Sequence, residues 1–262
     1  MPMKLQFLGC GSYVSDYGNN NMVLEINRRR MLIDCGFTLR ESLVTARLKP
    51  NDFDAIFISH QHGDHIHGLE YIVTYSLSCP TLIPAGRRIR LFLPKVLVPV
   101  VQTLLRPLSQ RNEGMFGIDA FFNVTILDET GFDWMGVHFD IDIMPHIRLP
   151  NKPEMVSHSL RFPAPSGEQV YITTDFCAEV ATASERDKIM AHFSQSARIY
   201  HDCETTARPS GVHTNIRTLA AYPADIRAKL VCMHYTNPAM IREVLPGVPC
   251  VTRYTVYDLS KV

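Results

Sequence analysis

Three imidazoles and one carboxylate fall within six residues of this chain, in His60-Gln61-His62-Gly63-Asp64-His65. They follow the apolar run Asp54-Ala55-Ile56-Phe57-Ile58-Ser59, which reads as a buried strand. The end of such a strand is where an open α/β sheet places its chemistry. Side chains alternate along extended backbone, so His60 and His62 point the same way and can grip one ion. Asp64 and His65, beyond the turn at Gly63, can reach a second. Imidazole nitrogens mixed with carboxylate oxygens suit zinc first and manganese as the alternative. The plain alternative is a polar loop that happens to be rich in histidine, and the tightness of the block argues against it.

A two-ion site needs more donors, and four stand just past apolar runs or in loops. His146 follows Phe139-Asp140-Ile141-Asp142-Ile143-Met144-Pro145, Asp175 follows Val170-Tyr171-Ile172-Thr173-Thr174, and His234 follows Leu230-Val231-Cys232-Met233. His213 closes Ser210-Gly211-Val212-His213, ahead of a predicted helix. Taken singly, each reads as a turn, cap or core residue; taken together, they supply what the histidine block lacks. His158 competes for the place of third histidine. His146 is preferred because it directly follows a strand and Pro145.

The elements that must position these groups follow from hydrophobic period. Strands are expected over 3–8, 22–26, 31–34 and 54–59, with the second and third forming a hairpin across the turn at 27–30. Helices are expected over 38–48 and 66–76. The stretch 86–108 carries Pro94, Pro99 and Pro107, which predicts broken helices and loop. A second set of strands is expected over 122–127, 134–144, 158–162 and 169–174. Helices at 185–192 and 216–222 and closing strands at 229–234 and 248–257 follow. Two half-sheets with helices outside give a four-layer α/β/β/α sandwich, in one domain over 1–262.

The composition bounds the function. Hydrophobic residues make up 46% and charged residues 20% of the 262, enough for a sizeable core. Lysine and arginine balance aspartate and glutamate at 26 each, so there is no general surface for a large nucleic acid. Arg28-Arg29-Arg30 reads as the hairpin turn. The seven cysteines are odd in number, scattered and without a C-x-x-C pair, which points to reduced thiols and a cytoplasmic protein. Nowhere do 18 apolar residues run together, so no membrane partner is expected.

The set Asp34, the 60–65 block, His146, Asp175 and His234 resembles the metallo-β-lactamase superfamily over nearly the full chain. The resemblance implies an αββα metallo-β-lactamase sandwich and two divalent ions. His60, His62 and His146 would hold the first ion, Asp64, His65 and His234 the second, and Asp175 would bridge them. Asp34 would organise the loop beneath the cluster. Within the superfamily the chain looks like the phosphodiesterase branch that includes ribonuclease Z. That branch carries a His-Glu-Ala-Thr motif and then a Gly-His-Ser-Thr motif. This chain has His201-Asp202-Cys203-Glu204-Thr205 and Gly211-Val212-His213-Thr214 instead. Asp202 replaces the glutamate, Glu204 is an extra acid, and one residue is inserted before His213. The implied catalytic groups are Asp64 and the Asp202–His213 pair. His213, kept protonated and oriented by Asp202, is the candidate general acid for the leaving oxygen, a role that typically contributes about 10²–10⁴ in rate.

Ribonuclease Z carries a protruding arm between the third histidine motif and the bridging aspartate. His146 and Asp175 are 29 positions apart (175 − 146), too few for an arm once two strands are formed. The segments 202–205, 210–213 and 226–229, with Met233-His234-Tyr235, resemble arm-less proteins that include the phage anti-Pycsar cyclic-nucleotide phosphodiesterases. That resemblance implies a small nucleotide substrate, hydrolysis of cyclic nucleoside monophosphates and a homodimer, with segment 81–117 in the pocket rim or dimer contact. Where those proteins tend to show Ser-Tyr-Gly after the third histidine, this chain has Ser157-His158-Ser159. The alternatives are a ribonuclease Z-like nuclease, a lactonase or thioesterase, and a catalytically silent binding protein holding fewer than two ions.

Overall fold

A computed structural model describes residues 1–79, 87–109, 117–128 and 131–262. Strands β1 (Met3–Phe7), β2 (Met22–Ile26), β3 (Arg29–Ile33), β4 (Ala55–Phe57), β5 (Arg90–Pro94) and β6 (Asn123–Leu127) build one sheet. The last strand of the chain, β15 (Val256–Asp258), closes its far edge, in the order β15-β1-β2-β3-β4-β5-β6. β1, β2 and β3 pair antiparallel, and β3 through β6 pair parallel. Two ribbons follow, β7 (Phe132–Trp134) with β8 (Val137–Phe139) and β9 (Ile143–Ile147) with β10 (Met155–His158). The second sheet has the order β11 (Leu160–Pro163), β12 (Gln169–Ile172), β13 (Ser196–Asp202) and β14 (Leu230–Met233), its last three strands parallel.

The alternation of side chains makes the layers. Met31 and Ile33 of β3, with Ala55 and Phe57 of β4, face the second sheet and pack in one cluster with Leu160, Phe162, Val170 and Ile172. Leu32, Ile56 and Ile58 point the other way. They pack under helices α1 (Leu39–Ala46), α3 (Gly68–Ser78) and α4 (Val98–Ser109), the short α2 (Gly63–Ile66) lying within the histidine block. Outside the second sheet lies α5 (Ala183–Gln195), whose Phe193 ring meets Tyr171 of β12 edge-on at 5.1 Å. Three short helices, α6 (Ile216–Ala220), α7 (Ala224–Arg227) and α8 (Pro238–Val244), complete that layer. Strands buried on both faces read as unbroken apolar runs, which is why β4 was plain in the sequence. The result is the expected α/β/β/α sandwich. Among the described residues no helix is long and apolar enough to cross a membrane, and all seven cysteines are free thiols.

Several elements differ from expectation. Within 87–108, the described part of that stretch, the chain forms strand β5, a 3₁₀ turn over Lys95–Leu97 and the α-helix α4 rather than broken helices and loop. Pro99 sits in the first turn of α4, where its missing N–H costs nothing, and Pro107 falls near its end. β6 joins the first sheet beside β5, not the second set. β13, in the interior of the second sheet, escaped notice because Arg198, His201 and Asp202 break its apolar run. The 248–257 strand shrinks to β15, and α8 begins at an Asn237 cap that pattern alone did not mark.

The buried carboxylate of Asp142, just before β9, fastens α5 to the sheets. It accepts from Tyr171 Oη at 2.9 Å and His192 Nδ1 at 2.7 Å, and pairs with Lys188 at 3.1 Å. Burial pushes its pKa up, but its contacts with Lys188, His192 and Tyr171 outweigh that and hold it below the usual carboxylate value. A carboxylate with a depressed native pKa stabilises the fold above its unfolded value and loses that contribution as pH falls through the native one. Asp142→Asn is therefore expected to lower unfolding free energy near neutral pH by about 1–3 kcal/mol. In denaturant titrations the gap from the parent protein should close as the medium is acidified below the ordinary carboxylate range.

Candidate metal centre

Two loops interlock beneath the cluster. The backbone of Asp34 donates to the Phe57 carbonyl at 2.9 Å, that of Cys35 to the His65 carbonyl at 2.7 Å, and Gly68 returns a bond to the Cys35 carbonyl at 2.7 Å. The fully buried Asp34 carboxylate then accepts from Ser59 N and Ser59 Oγ, both at 2.8 Å, and from His65 Nδ1 at 2.7 Å. Gly36 lies so close to the histidine loop that a β-carbon there would sit 2.0 Å from the Asp64 carbonyl oxygen. Its N–H donates to Asn21 Oδ1 at 2.7 Å.

These loops aim the ring nitrogens. His60, at the end of β4, donates through Nδ1 to Ser59 Oγ at 3.0 Å, and His146 of β9 donates through Nδ1 to the Val212 carbonyl at 2.8 Å. With Nδ1 so held, the Nε2 atoms of His60 and His146 converge on Nδ1 of His62, at 3.2 and 3.0 Å. On the other side, His65 Nε2 lies 3.4 Å and His234 Nε2 3.3 Å from Asp64 Oδ2. Asp175, in the loop after β12, stands between the two groups. Its Oδ2 is 3.4 Å from His60 and 3.5 Å from His146; its Oδ1 is 3.2 Å from His65 and 3.5 Å from His234. His158 does not join them: its Nδ1 donates to the Ser59 carbonyl at 2.7 Å.

The electrostatics differ between the two poles. Burial, with the neighbouring His60, lowers the pKa of His62 to about 4. Burial also lowers His146 to about 3 and His60 below its usual value, keeping these imidazoles neutral and their lone pairs free. At the other pole burial works against His234 and His65, but Asp175 leads the carboxylates that raise His234 to about 10 and His65 well above the ordinary range. Burial would raise Asp64 and Asp175, yet the surrounding imidazoles hold both below the usual carboxylate value. Both Asp175 oxygens and His65 Nε2 are buried without a hydrogen-bond partner. Buried polar atoms are normally satisfied. Lone pairs converging at about 3 Å, with orphaned carboxylate oxygens between them, fit a cation site, and the cluster has the composition and geometry to hold divalent metal.

A further pair leans on the cluster. Asp202, at the end of β13, accepts from His213 Nδ1 at 2.7 Å and from the Phe176 N–H at 3.0 Å, and its other oxygen is 3.3 Å from His234 Nδ1. Burial would lower the His213 pKa; the Asp202 and Asp175 carboxylates overcome it and hold the imidazole above its usual value. His201, beside this pair in sequence, is a core residue whose Nδ1 donates to the Asp202 carbonyl. Sequence reading missed the groups that set His213 in place. Glu204 accepts from Ser210 N at 3.0 Å and Asn215 Nδ2 at 3.3 Å, and Glu179 accepts from Asn215 N at 3.0 Å and Thr218 Oγ1 at 2.6 Å. Glu204 was visible as an extra acid; Glu179 carries no local signal. A cavity of about 300 Å³ opens beside His213 and His234. Segment 81–117 lies partly outside the described residues; within its described part Pro94, Lys95 and Val96 line a second cavity of about 660 Å³ that reaches His158.

The family described as anti-Pycsar protein Apyc1 matches residues 3–243. The chain belongs to the anti-Pycsar Apyc1 family. An anti-Pycsar protein Apyc1 from Paenibacillus sp. (strain J14) is 27% identical over 90% of this chain and 91% of its own. Another, from Bacillus phage 010DV004, is 26% identical over 94% of this chain and 96% of its own. Among solved structures, the metallo-β-lactamase fold protein YhfI from Bacillus subtilis superposes with a TM-score of 0.74 at 13% identity, covering 98% of this chain and 100% of its own. The fold is thus that of the metallo-β-lactamases. With this membership and the paired site, the chain is a metal-dependent phosphodiesterase.

The contact between Gly36 and Asp64 gives a direct check on the loop packing. Gly36→Ala must displace backbone rather than a side-chain end, and overpacking typically costs about 1–3 kcal/mol. The expected result is a Tm lower by roughly 2–12 °C in calorimetry, at about 2–4 °C per kcal/mol for a chain of this size, with weakened metal uptake. An unchanged Tm would mean that the two loops are not locked together.

Proposed function

We propose that the chain hydrolyses 3′,5′-cyclic nucleoside monophosphates, with two divalent ions, zinc foremost and manganese the alternative. His60, His62 and His146 would hold one ion and Asp64, His65 and His234 the other, with the Asp175 carboxylate standing between the two groups. When bound, such ions would supply Lewis acidity toward phosphate oxygens and water. The chain's own residues supply the rest. Asp175 fixes the spacing of the two poles. Asp34 and Asp202 hold the rings of His65 and His234 so that Nε2 faces inward. His213 keeps Nδ1 on Asp202, which leaves Nε2 to hand its proton to the departing ribose oxygen.

The observation that carries this reading is the 2.7 Å bond from His213 to Asp202 beside the cluster. A poor leaving group such as an alkoxide needs a proton donor, whereas a lactone or thioester asks less of one. Support for a small nucleotide over a folded RNA comes from the short span between His146 and Asp175, the balanced charge and the family's anti-Pycsar name. We expect a homodimer, checked by light scattering against the 29.7 kDa chain mass.

A panel of 3′,5′-cyclic nucleotides set against a structured RNA tests the substrate. Turnover of the cyclic nucleotides with the RNA intact is expected; RNA cleavage alone would end the proposal. His213→Ala should lower kcat by about 10²–10⁴ while elemental analysis still finds two ions per chain. Chelation should abolish turnover, with recovery on adding zinc or manganese. Fewer than two ions per chain in the active protein would overturn the paired-ion assignment.

A further inference from the structure

The loop between β1 and β2 places apolar side chains where a surface loop would ordinarily avoid them. Its base is tied: Gly11 N donates to the Gly18 carbonyl at 2.8 Å and Cys10 N to the Tyr17 carbonyl at 3.2 Å. A β-carbon on Gly11 would lie 2.2 Å from Ser15 Oγ, so the loop is drawn tight. The Tyr17 ring rests against the Tyr235 ring, centroids 5.6 Å apart, directly after His234. At the tip, Tyr13 is 57% exposed and Val14 80% exposed. Tyr13 is not adrift, because the Phe37 ring meets it edge-on at 5.1 Å and 60°. Phe37 follows Gly36, so this aromatic pair spans both the β1–β2 loop and the loop locked under Asp64.

Tyr13 and Val14 form one wall of the 300 Å³ cavity that also touches His213 and His234. The facing wall, from Glu204, Thr205 and Ser210, looks polar, but its groups are engaged. Thr205 Oγ1 accepts from the backbone of Thr236 and Asn237, Ser210 Oγ from Val212 N, and the Glu204 carboxylate from Ser210 N. A ligand entering here gains more from flat apolar contact than from hydrogen bonds. Its size is at the lower end of small-ligand pockets, which run about 300–1,000 Å³.

We infer that Tyr13, braced by Phe37, is the stacking platform for the nucleobase of the substrate, placing base and sugar in the cavity beside His213 while the phosphate lies at the cluster. This rests on the proposed phosphodiester reading and adds to it the direction in which the nucleoside points. Every base has a π-face, and an exposed tyrosine held by a second ring offers a matching plane at low entropic cost.

The test compares the parent protein, Tyr13→Ala and Tyr13→Phe, all metal-loaded. The substrates are adenosine 3′,5′-cyclic phosphate and the base-less ribose 3′,5′-cyclic phosphate. Loss of one base–aromatic stack corresponds to roughly ten-fold or more. In Tyr13→Ala, the ratio of kcat/KM for the base-bearing over the base-less substrate should fall by about that factor, through KM and not kcat. Tyr13→Phe should keep most of the ratio. Calorimetric binding of adenosine 5′-monophosphate gives a second readout, with Kd weakened about ten-fold in Tyr13→Ala. Ratio and Kd both within two-fold of the parent would overturn the platform. If the parent turns over no cyclic nucleotide, the proposed reaction falls, and the calorimetry alone then decides the platform: a ten-fold weaker Kd upholds it, an unchanged Kd ends it.

Discussion

The carboxylate of Asp34 is the fixed point of the whole centre. It is completely buried, and it accepts from the backbone and hydroxyl of Ser59 and from the ring of His65. A charged group without water is stable only if its lone pairs are filled, and here three donors from one loop fill them. The consequence is mutual. The histidine loop cannot move without stranding the carboxylate, and the carboxylate fixes which nitrogen of His65 is left to face inward. Asp34 itself sits at φ 61°, a left-handed turn that a non-glycine residue adopts at a cost of order 1 kcal/mol. The network around it offsets that cost.

The second sheet repeats the device. Asp202 ends β13 as Asp34 follows β3, is equally buried, and serves His213 and His234 as Asp34 serves His65. Each sheet therefore brings its own buried carboxylate to the end of its parallel strands, and each carboxylate points imidazoles at a common centre. Asp175 is the group between them, with one oxygen toward each set. Thr174 before it and His234 across from it also adopt left-handed φ values, 55° and 59°. Conformations that are unfavourable elsewhere thus gather at the ends of the strands that carry the cluster.

Much of this was legible from residue order, for a physical reason. β4 is buried on both faces, so it appeared as an unbroken apolar run and delivered the histidine block to its end. His146, Asp175 and His234 were readable because each follows a similar run. What escaped was whatever depends on contact rather than period. β13 holds the interior of the second sheet with polar residues, since His201 packs among Phe176, Phe193 and Tyr222 while Asp202 faces the cluster. α4 tolerates two prolines because they fall near its ends. Ser59, Val212 and Glu179 act on the site through a hydroxyl, a backbone carbonyl and a carboxylate brought close only by folding.

The origin of the converging side chains has a mechanical side. His60, His62, Asp64 and His65 hang from the first sheet, Asp175 and His234 from the second, and His146 from the ribbon between. Between the sheets lies an apolar core that includes Phe57, Phe139, Phe162 and Ile172, and such packing slides more readily than a directed bond. A cation held by donors from both sheets would act as a clasp on a book whose pages meet through apolar packing. Occupancy of the centre then stiffens the sandwich as a whole and stabilises it by mass action. The same atoms that could hold a metal would also set how far the two covers can part.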